Sequence, residues 1–176
     1  VIENCRISNL SRIDRTYTPA ILLEGMGLKV RYNAFADIPS SAIRVAASDV
    51  LIELNTMDRC LYESGDQGVI DQWGNPLLRG NVIRWNDFAN TINPNCYWGP
   101  AAVRCDDVIC GYMITENVMR SGTPKALFGA VQLHLGKGHH LEGNVIVDFN
   151  KFVSGPSEVN PKWTEYLMIH PVSRKA

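Results

Sequence analysis

The chain has 176 residues, with 17 Lys and Arg against 18 Asp and Glu and a formal net charge of −1. That length suits one domain with a real core, and the scattered, balanced charge supplies neither a phosphate-neutralising face nor a polybasic membrane strip, so nucleic acid is not an expected partner. The longest apolar candidate, SAIRVAASDVLIEL, carries Arg44, Asp49 and Glu53, which argues against insertion into a membrane.

Near the N-terminus, AILLEG and GLKVRYNAF are apolar runs separated by Gly25 and Gly27, and Leu28, Val30 and Tyr32 alternate with Lys29 and Arg31 at the period of a half-buried strand. The two runs are expected to pair. From Ser41 the period changes: Ile43, Ala47, Val50, Leu54 and Met57 recur at helical spacing after a Pro39-Ser40-Ser41 start, while DVLIEL alone alternates like a strand. A helix is the favoured expectation over 41–57. The turn formers of WGNP, Trp73 to Pro76, predict a hairpin or strand pair between GVIDQ and LLRGNVIRW, and NDFANTI suits one helical turn capped by Asn86. NPNCYWGPAAVRC reads as an irregular loop, and DDVICGYMITENVMRSG as buried chain whose period leaves strand against helix open.

Further on, Val131, Leu133 and Leu135 alternate with Gln132 and His134, and Val145, Val147 and Phe149 resume the alternation after Gly136, Gly138 and Gly143. This pattern predicts a β-hairpin with a long tip. TEYLMIHPV, Thr164 to Val172, is a last strand candidate with Pro171 at its edge. No internal repeat, heptad array or low-complexity tract stands out. The expected fold is a single mainly β domain over residues 1–176, an antiparallel β-sandwich with one or two short helices, with α+β as the alternative.

The first residue is Val1, and no charged and apolar leader follows it, as in a mature chain after signal removal. Five cysteines, Cys5, Cys60, Cys96, Cys105 and Cys110, fit an oxidising compartment, with one bridge expected within Cys96 to Cys110 and a longer one joining Cys5 to Cys60. The expected location is secreted or at the cell surface.

Three of the four histidines fall in LHLGKGHHLEG: His134 on the polar side of a strand, His139 and His140 at the tip, with Glu142 beside them. They are the candidate metal ligands, joined by His170 if the last strand lies alongside, although the spacing matches no fixed zinc pattern and no other cofactor is expected. Nucleophile elbows, P-loops and dinucleotide fingerprints are absent. Carboxylate pairs can be drawn from Asp106, Asp107, Glu142 or Asp148, but any chain with 18 acids offers such pairs. The aromatic and amide-rich stretch from Asp71 to Trp98 presents Trp73, Trp85, Asn86, Asp87 and Trp98, residue types that stack on a pyranose face and hold its hydroxyls. The leading expectation is therefore a recognition domain rather than an enzyme, adhesin-like and binding a glycan or cell-surface receptor. A metal-dependent hydrolase using His134, His139 and His140 is the alternative, and a structural subunit of an extracellular or viral assembly is a third.

Overall fold

The structure is a computed structural model and describes residues 1–155. The strand expected at TEYLMIHPV, with His170, lies outside the described residues. The chain winds into six rungs of three strands each. The first rung holds β1 (Ile2–Glu3), β2 (Arg6–Ser8) and β3 (Ile21–Met26), and the second β4 (Lys29–Arg31), β5 (Ala34–Ile38) and β6 (Ile43–Ser48). The third holds β7 (Leu51–Glu53), β8 (Thr56–Cys60) and β9 (Gly68–Trp73), and the fourth β10 (Val82–Arg84), β11 (Asp87–Thr91) and β12 (Ala101–Asp106). The fifth holds β13 (Met113–Thr115), β14 (Val118–Gly122) and β15 (Val131–Leu133), and the last β16 (His140–Glu142), β17 (Val145–Val147) and β18 (Val153–Ser154).

Each strand pairs in parallel with its counterpart one rung away, so the first, second and third strands of the rungs stack into three six-stranded sheets, called A, B and C. This is a parallel β-helix. The expected antiparallel sandwich and the α+β alternative are both corrected by it, and among the described residues there is no helix. Side-chain alternation is the same in either sheet type, because it reports only which face is buried. What separates them is where the chain goes next. After Glu142 the Gly143-Asn144 corner sends β16 into sheet A and β17 into sheet B, so the two alternating runs of the expected hairpin never face each other.

The corner between sheets A and B repeats in every rung. Its first residue takes a left-handed conformation: Asn4, Tyr32, Leu54, Trp85 and Glu116 have φ of 54–58° and Gly143 has 65°. In the last five rungs an asparagine follows, Asn33, Asn55, Asn86, Asn117 and Asn144, and these stack along the interior. Asn55 donates its backbone N–H and its Nδ2 to Asn86 Oδ1, both at 3.0 Å, and Nδ2 also reaches the carbonyls of Val30 and Glu53. The ladder thus satisfies the backbone groups that a turning chain takes out of the sheet and away from water. Inward residues on either side complete a six-residue motif, apolar-x-x-Asn-x-apolar, as in VRYNAF, IELNTM, IRWNDF, ITENVM and LEGNVI. The expectation of no internal repeat is corrected accordingly.

Several local expectations change with it. The apparent helical spacing over 41–57 arises where the inward positions Ile43, Val45 and Ala47 of β6 are followed by corners into β7 and β8. NDFANTI is β11, and Asn86 is a rung of the ladder rather than a helix cap. WGNP carries the chain from sheet C to sheet A, and residues 106–121 continue through β13 and β14 as strand.

All five cysteines are free. Cys5 sits exposed at the first A–B corner, where its backbone N–H caps the asparagine ladder at Asn33 Oδ1, whereas Cys60 is buried at the C-terminal end of β8, two rungs on. Cys105 points into the interior of sheet C, Cys96 lies on the loop before it, and Cys110 is buried near the C–A corner with its thiol donating to the Val108 carbonyl. Neither expected disulfide forms, and the argument for export from cysteine content goes with them. Burial pushes the Cys60 thiol up to about 12 and raises Cys105 further. Ellman's reagent at mildly alkaline pH should therefore find Cys5 reacting promptly in the native protein and all five thiols after unfolding. A denatured count short of five would restore a bridge.

Candidate functional site

The outer face of sheet C gathers side chains that are far apart in sequence. Register places Arg44 beside Asp71, Asp71 beside Arg104, and Arg104 beside Gln132, all pointing away from the core. One step along the strands, Trp73 lies beside Asp106, and His134 follows β15 on the same side. Loops wall this face. The segment before β3 is tied down by Arg15 to Glu63 and Thr16 to Ser64, and the loops before β12 and β15 are joined by the Phe128 N–H donating to the Trp98 carbonyl at 2.7 Å. The result is a pocket of about 500 Å³ lined by Asp66, Trp98, Arg104, Asp106, Asp107, Phe128, Gln132 and His134. A second depression of about 350 Å³ shares Trp98, Phe128, Gln132 and His134 and extends the groove to Lys151 and Ser154.

Arg104 is the fixed centre of the pocket. Its guanidinium is 6% exposed, donates to Asp66 at 3.0 Å, Asp71 at 3.4 Å and Asp106, and has the Phe128 ring 5.5 Å from Cζ. Asp71 is fully buried, with one carboxylate oxygen held by the Gly68 N–H and Arg104 and the other making no protein hydrogen bond. Burial raises its pKa, and Arg104 opposes the rise.

Asp106 and Asp107 are adjacent in sequence, and in a continuing strand they would point to opposite sides. Left-handed conformations at Asp107, φ 50°, and Val108, φ 67°, end β12 and turn both carboxylates toward His134. His134 Nδ1 lies 2.7 Å from Asp106 Oδ1 and 3.5 Å from Asp107 Oδ1. Asp106 therefore orients the imidazole, as a carboxylate does when it accepts from Nδ1–H and leaves Nε2 as the basic nitrogen. Burial, followed by the charge of Asp106, raises the Asp107 carboxyl, against the pull of His134 and Arg104. A carboxyl whose pKa is raised beside an oriented imidazole brings together the two kinds of group that proton transfer uses.

Metal-ligating capacity collects at the same place. Among the described residues, Asp106, Asp107 and His134 form the group whose ligand atoms all lie within 4.8 Å of one another. Of the three expected ligands His134, His139 and His140, the structure brings His134 to these carboxylates and leaves the others elsewhere. His140 Nε2 is 2.9 Å from Glu142 Oε2 at the surface, and His139 is half-buried with its ring 6.4 Å from that of Tyr112.

Burial lowers the pKa of His139 from the ordinary 6.5. The unfolded chain then takes up this proton first on acidification, so the stability contributed by neutral His139 is present above about pH 6.5 and is lost as pH falls through its folded pKa. Thermal melts should show a steeper acid loss in the wild type than in His139→Phe between pH 7 and 5. Parallel curves would remove His139 as the source.

The tryptophan-rich stretch does not form one surface. Trp98 is 56% exposed and opens on the groove, and Trp73 stands at the end of β9 with the Arg44 guanidinium 4.8 Å from its ring. Trp85 belongs to the A–B corner, Asn86 to the buried ladder, and Asp87 to the outer face of sheet B, where it pairs with Arg120 at 2.7 Å. Sequence reading passed over Asp66, Asp71, Arg104 and Gln132 and gave Asp106 and Asp107 no weight. The signal that finds them is alignment of GVIDQW, AAVRCD and VQLH as parallel rungs, which puts Asp71, Arg104 and Gln132 in one outward row. Compared with known proteins, the chain matches no family model, no curated protein and no solved structure.

Proposed function

We propose that the protein binds an oligo- or polysaccharide in the groove along sheet C and cleaves a glycosidic bond there. The observation that carries this reading is the exposed Trp98 ring opening on the same pocket as Asp106, Asp107 and His134. An indole face stacks on the C–H side of a sugar ring, and a groove whose walls repeat at the spacing of strands, about 4.8 Å, suits a substrate that itself repeats. Asp107, whose pKa is raised by burial and by Asp106, gives its proton to the glycosidic oxygen as the bond to the anomeric carbon breaks. His134, oriented by Asp106, takes a proton from the water whose oxygen bonds to that carbon, in a pairing tighter than that of two-carboxylate glycosidases because Asp107 lies 3.5 Å from His134.

A second reading, a cation-dependent hydrolase, is favoured by the closeness of the three ligand atoms. Against it, Arg104 already occupies an oxygen of Asp106 and opposes a further positive charge. The test is release of reducing ends from a panel of soluble polysaccharides, with and without EDTA. Cleavage that survives EDTA and is lost in Asp107→Asn supports acid–base catalysis, and cleavage abolished by EDTA supports the cation. Binding without cleavage, lost in Trp98→Ala, makes the groove a recognition site. Absence of both binding and cleavage removes the proposal.

A further inference from the structure

The corner between sheets A and B is the one corner that sheet C does not touch, and it carries an apolar ridge. Tyr32, Leu54 and Trp85 occupy equivalent left-handed positions in the second, third and fourth rungs and are 52%, 37% and 44% exposed. The fold requires this conformation at every rung, and asparagine or glycine adopts it at least cost, as Asn4 and Gly143 do in the end rungs. At Tyr32, Leu54 and Trp85 the protein accepts both the strain of a bulky left-handed residue and the exposure of its apolar surface, while the fifth-rung corner is Glu116.

The two aromatic positions share one construction. In Arg31-Tyr32-Asn33 and Arg84-Trp85-Asn86 the arginine packs on its neighbour's ring, at 5.8 and 4.1 Å to the centroid. The same arginine is held by a glutamate one rung before it, Arg31 by Glu3 at 2.6 Å and Arg84 by Glu53 at 2.8 Å. Trp85 is further fixed by its Nε1–H, which donates to Glu116 at 2.7 Å. These are oriented rings, and strand spacing sets them two rungs, or roughly 9.5 Å, apart along the coil.

We infer that this ridge is a glycan-binding platform for an extended β-1,4-linked chain, separate from the groove. Such a chain turns the same ring face to one side at every second sugar, a repeat close to two rungs, so alternate pyranoses meet Tyr32 and Trp85 and the one between lies over Leu54. Arg31, Glu3 and Arg84 flank the rings, half-exposed, and can hold paired hydroxyls. A proline-rich peptide has a similar repeat, three residues at about 3.1 Å each, but such helices dock into aromatic-lined grooves and this is a convex corner. The inference requires no chemistry in the groove, and its failure leaves the proposed cleavage untouched.

Affinity electrophoresis through hydroxyethyl cellulose, with dextran as the control polymer, tests it on the full chain. The wild type should be retarded by hydroxyethyl cellulose and not by dextran. Tyr32→Asn and Trp85→Asn should each weaken retardation at least tenfold, and the double variant should abolish it, with melting temperatures unchanged or raised because asparagine relieves the left-handed strain. Val147→Ser, on the exposed face of sheet B, should migrate as the wild type does. An unretarded wild type, or a double variant retarded as strongly as wild type, overturns the platform. So does retardation lost in Trp98→Ala alone, which assigns binding to the groove, or capture of fluorescent decaproline with no retardation by the polysaccharide.

Discussion

Asn86→Ala is expected to lower stability by about 3–5 kcal/mol. Its side chain accepts the backbone N–H and Nδ2 of Asn55 and donates to the carbonyls of Ile52 and Arg84 and to Asn117 Oδ1, all at 2.9–3.0 Å. Alanine leaves the Asn55 N–H buried without a partner, at about 1–3 kcal/mol, and also removes one bond each from the Ile52 and Arg84 carbonyls and Asn117 Oδ1. Asn144 makes equivalent bonds in the last rung, donating to the Ile114 carbonyl at 2.8 Å and accepting from Asn117, but it is only partly buried, so water replaces some of what is lost. Asn144→Ala should cost less than half as much. Urea denaturation of both variants measures the difference, and equal losses below about 1 kcal/mol would mean that solvent reaches the interior corner.

The ladder also shows how much of this fold the sequence displays. Each of the last five rungs carries apolar-x-x-Asn-x-apolar, yet consecutive asparagines are separated by 22, 31, 31 and 27 residues, because loops of unequal length leave other corners. A search for a fixed period fails on those loops, whereas the motif itself is constant. Alternation marks the inward side of Val131 and Leu133, because burial of one face is a local property, whereas from Ile43 the corners disguise the strand as helical spacing. Parallel pairing is not local. It depends on the left-handed residue before each asparagine, and at four of the six corners that residue is Tyr32, Leu54, Trp85 or Glu116, none of which advertises a positive φ as glycine does.

The site was legible in the same partial way. His134 stood out as one of three clustered histidines and Trp98 as an aromatic among amides, and both line the groove. Their partners did not stand out, because Asp106 and Asp107 reach His134 across one rung, and Arg104 reaches Asp71 across another. In a β-helix, neighbours on the outer face are typically a full coil apart, so a window along the chain separates residues that the stacking brings into contact. The Trp85, Asn86 and Asp87 run illustrates the converse. Three consecutive residues of promising type face a corner, the interior and sheet B in turn.

Cleavage by the groove, if it follows the proposed acid–base chemistry, should fall about 10²- to 10⁴-fold in His134→Ala, the range expected when a positioned proton-transfer group is removed. Asp106→Asn should lose nearly as much although the residue transfers no proton itself, because an amide no longer enforces Nδ1–H on His134, so Nε2 is no longer held as the basic nitrogen. The double variant should then be little worse than either single one, since the two side chains act as one unit. Asp107→Asn separates the acid from the base. In the wild type, activity should decline as pH rises through the Asp107 pKa, which burial and Asp106 hold above the ordinary 3.8, because the proton donor is then lost. In Asp107→Asn that alkaline limb should disappear along with most of the rate. The remaining activity should be greatest on substrates whose leaving group needs no protonation, such as a dinitrophenyl glycoside. An alkaline limb retained in Asp107→Asn, or a loss no smaller on the activated substrate than on the natural one, excludes Asp107 as the proton donor. Urea curves on each variant keep the comparison to folded protein, which matters most for Asp106→Asn, because Asp106 also pairs with the buried Arg104.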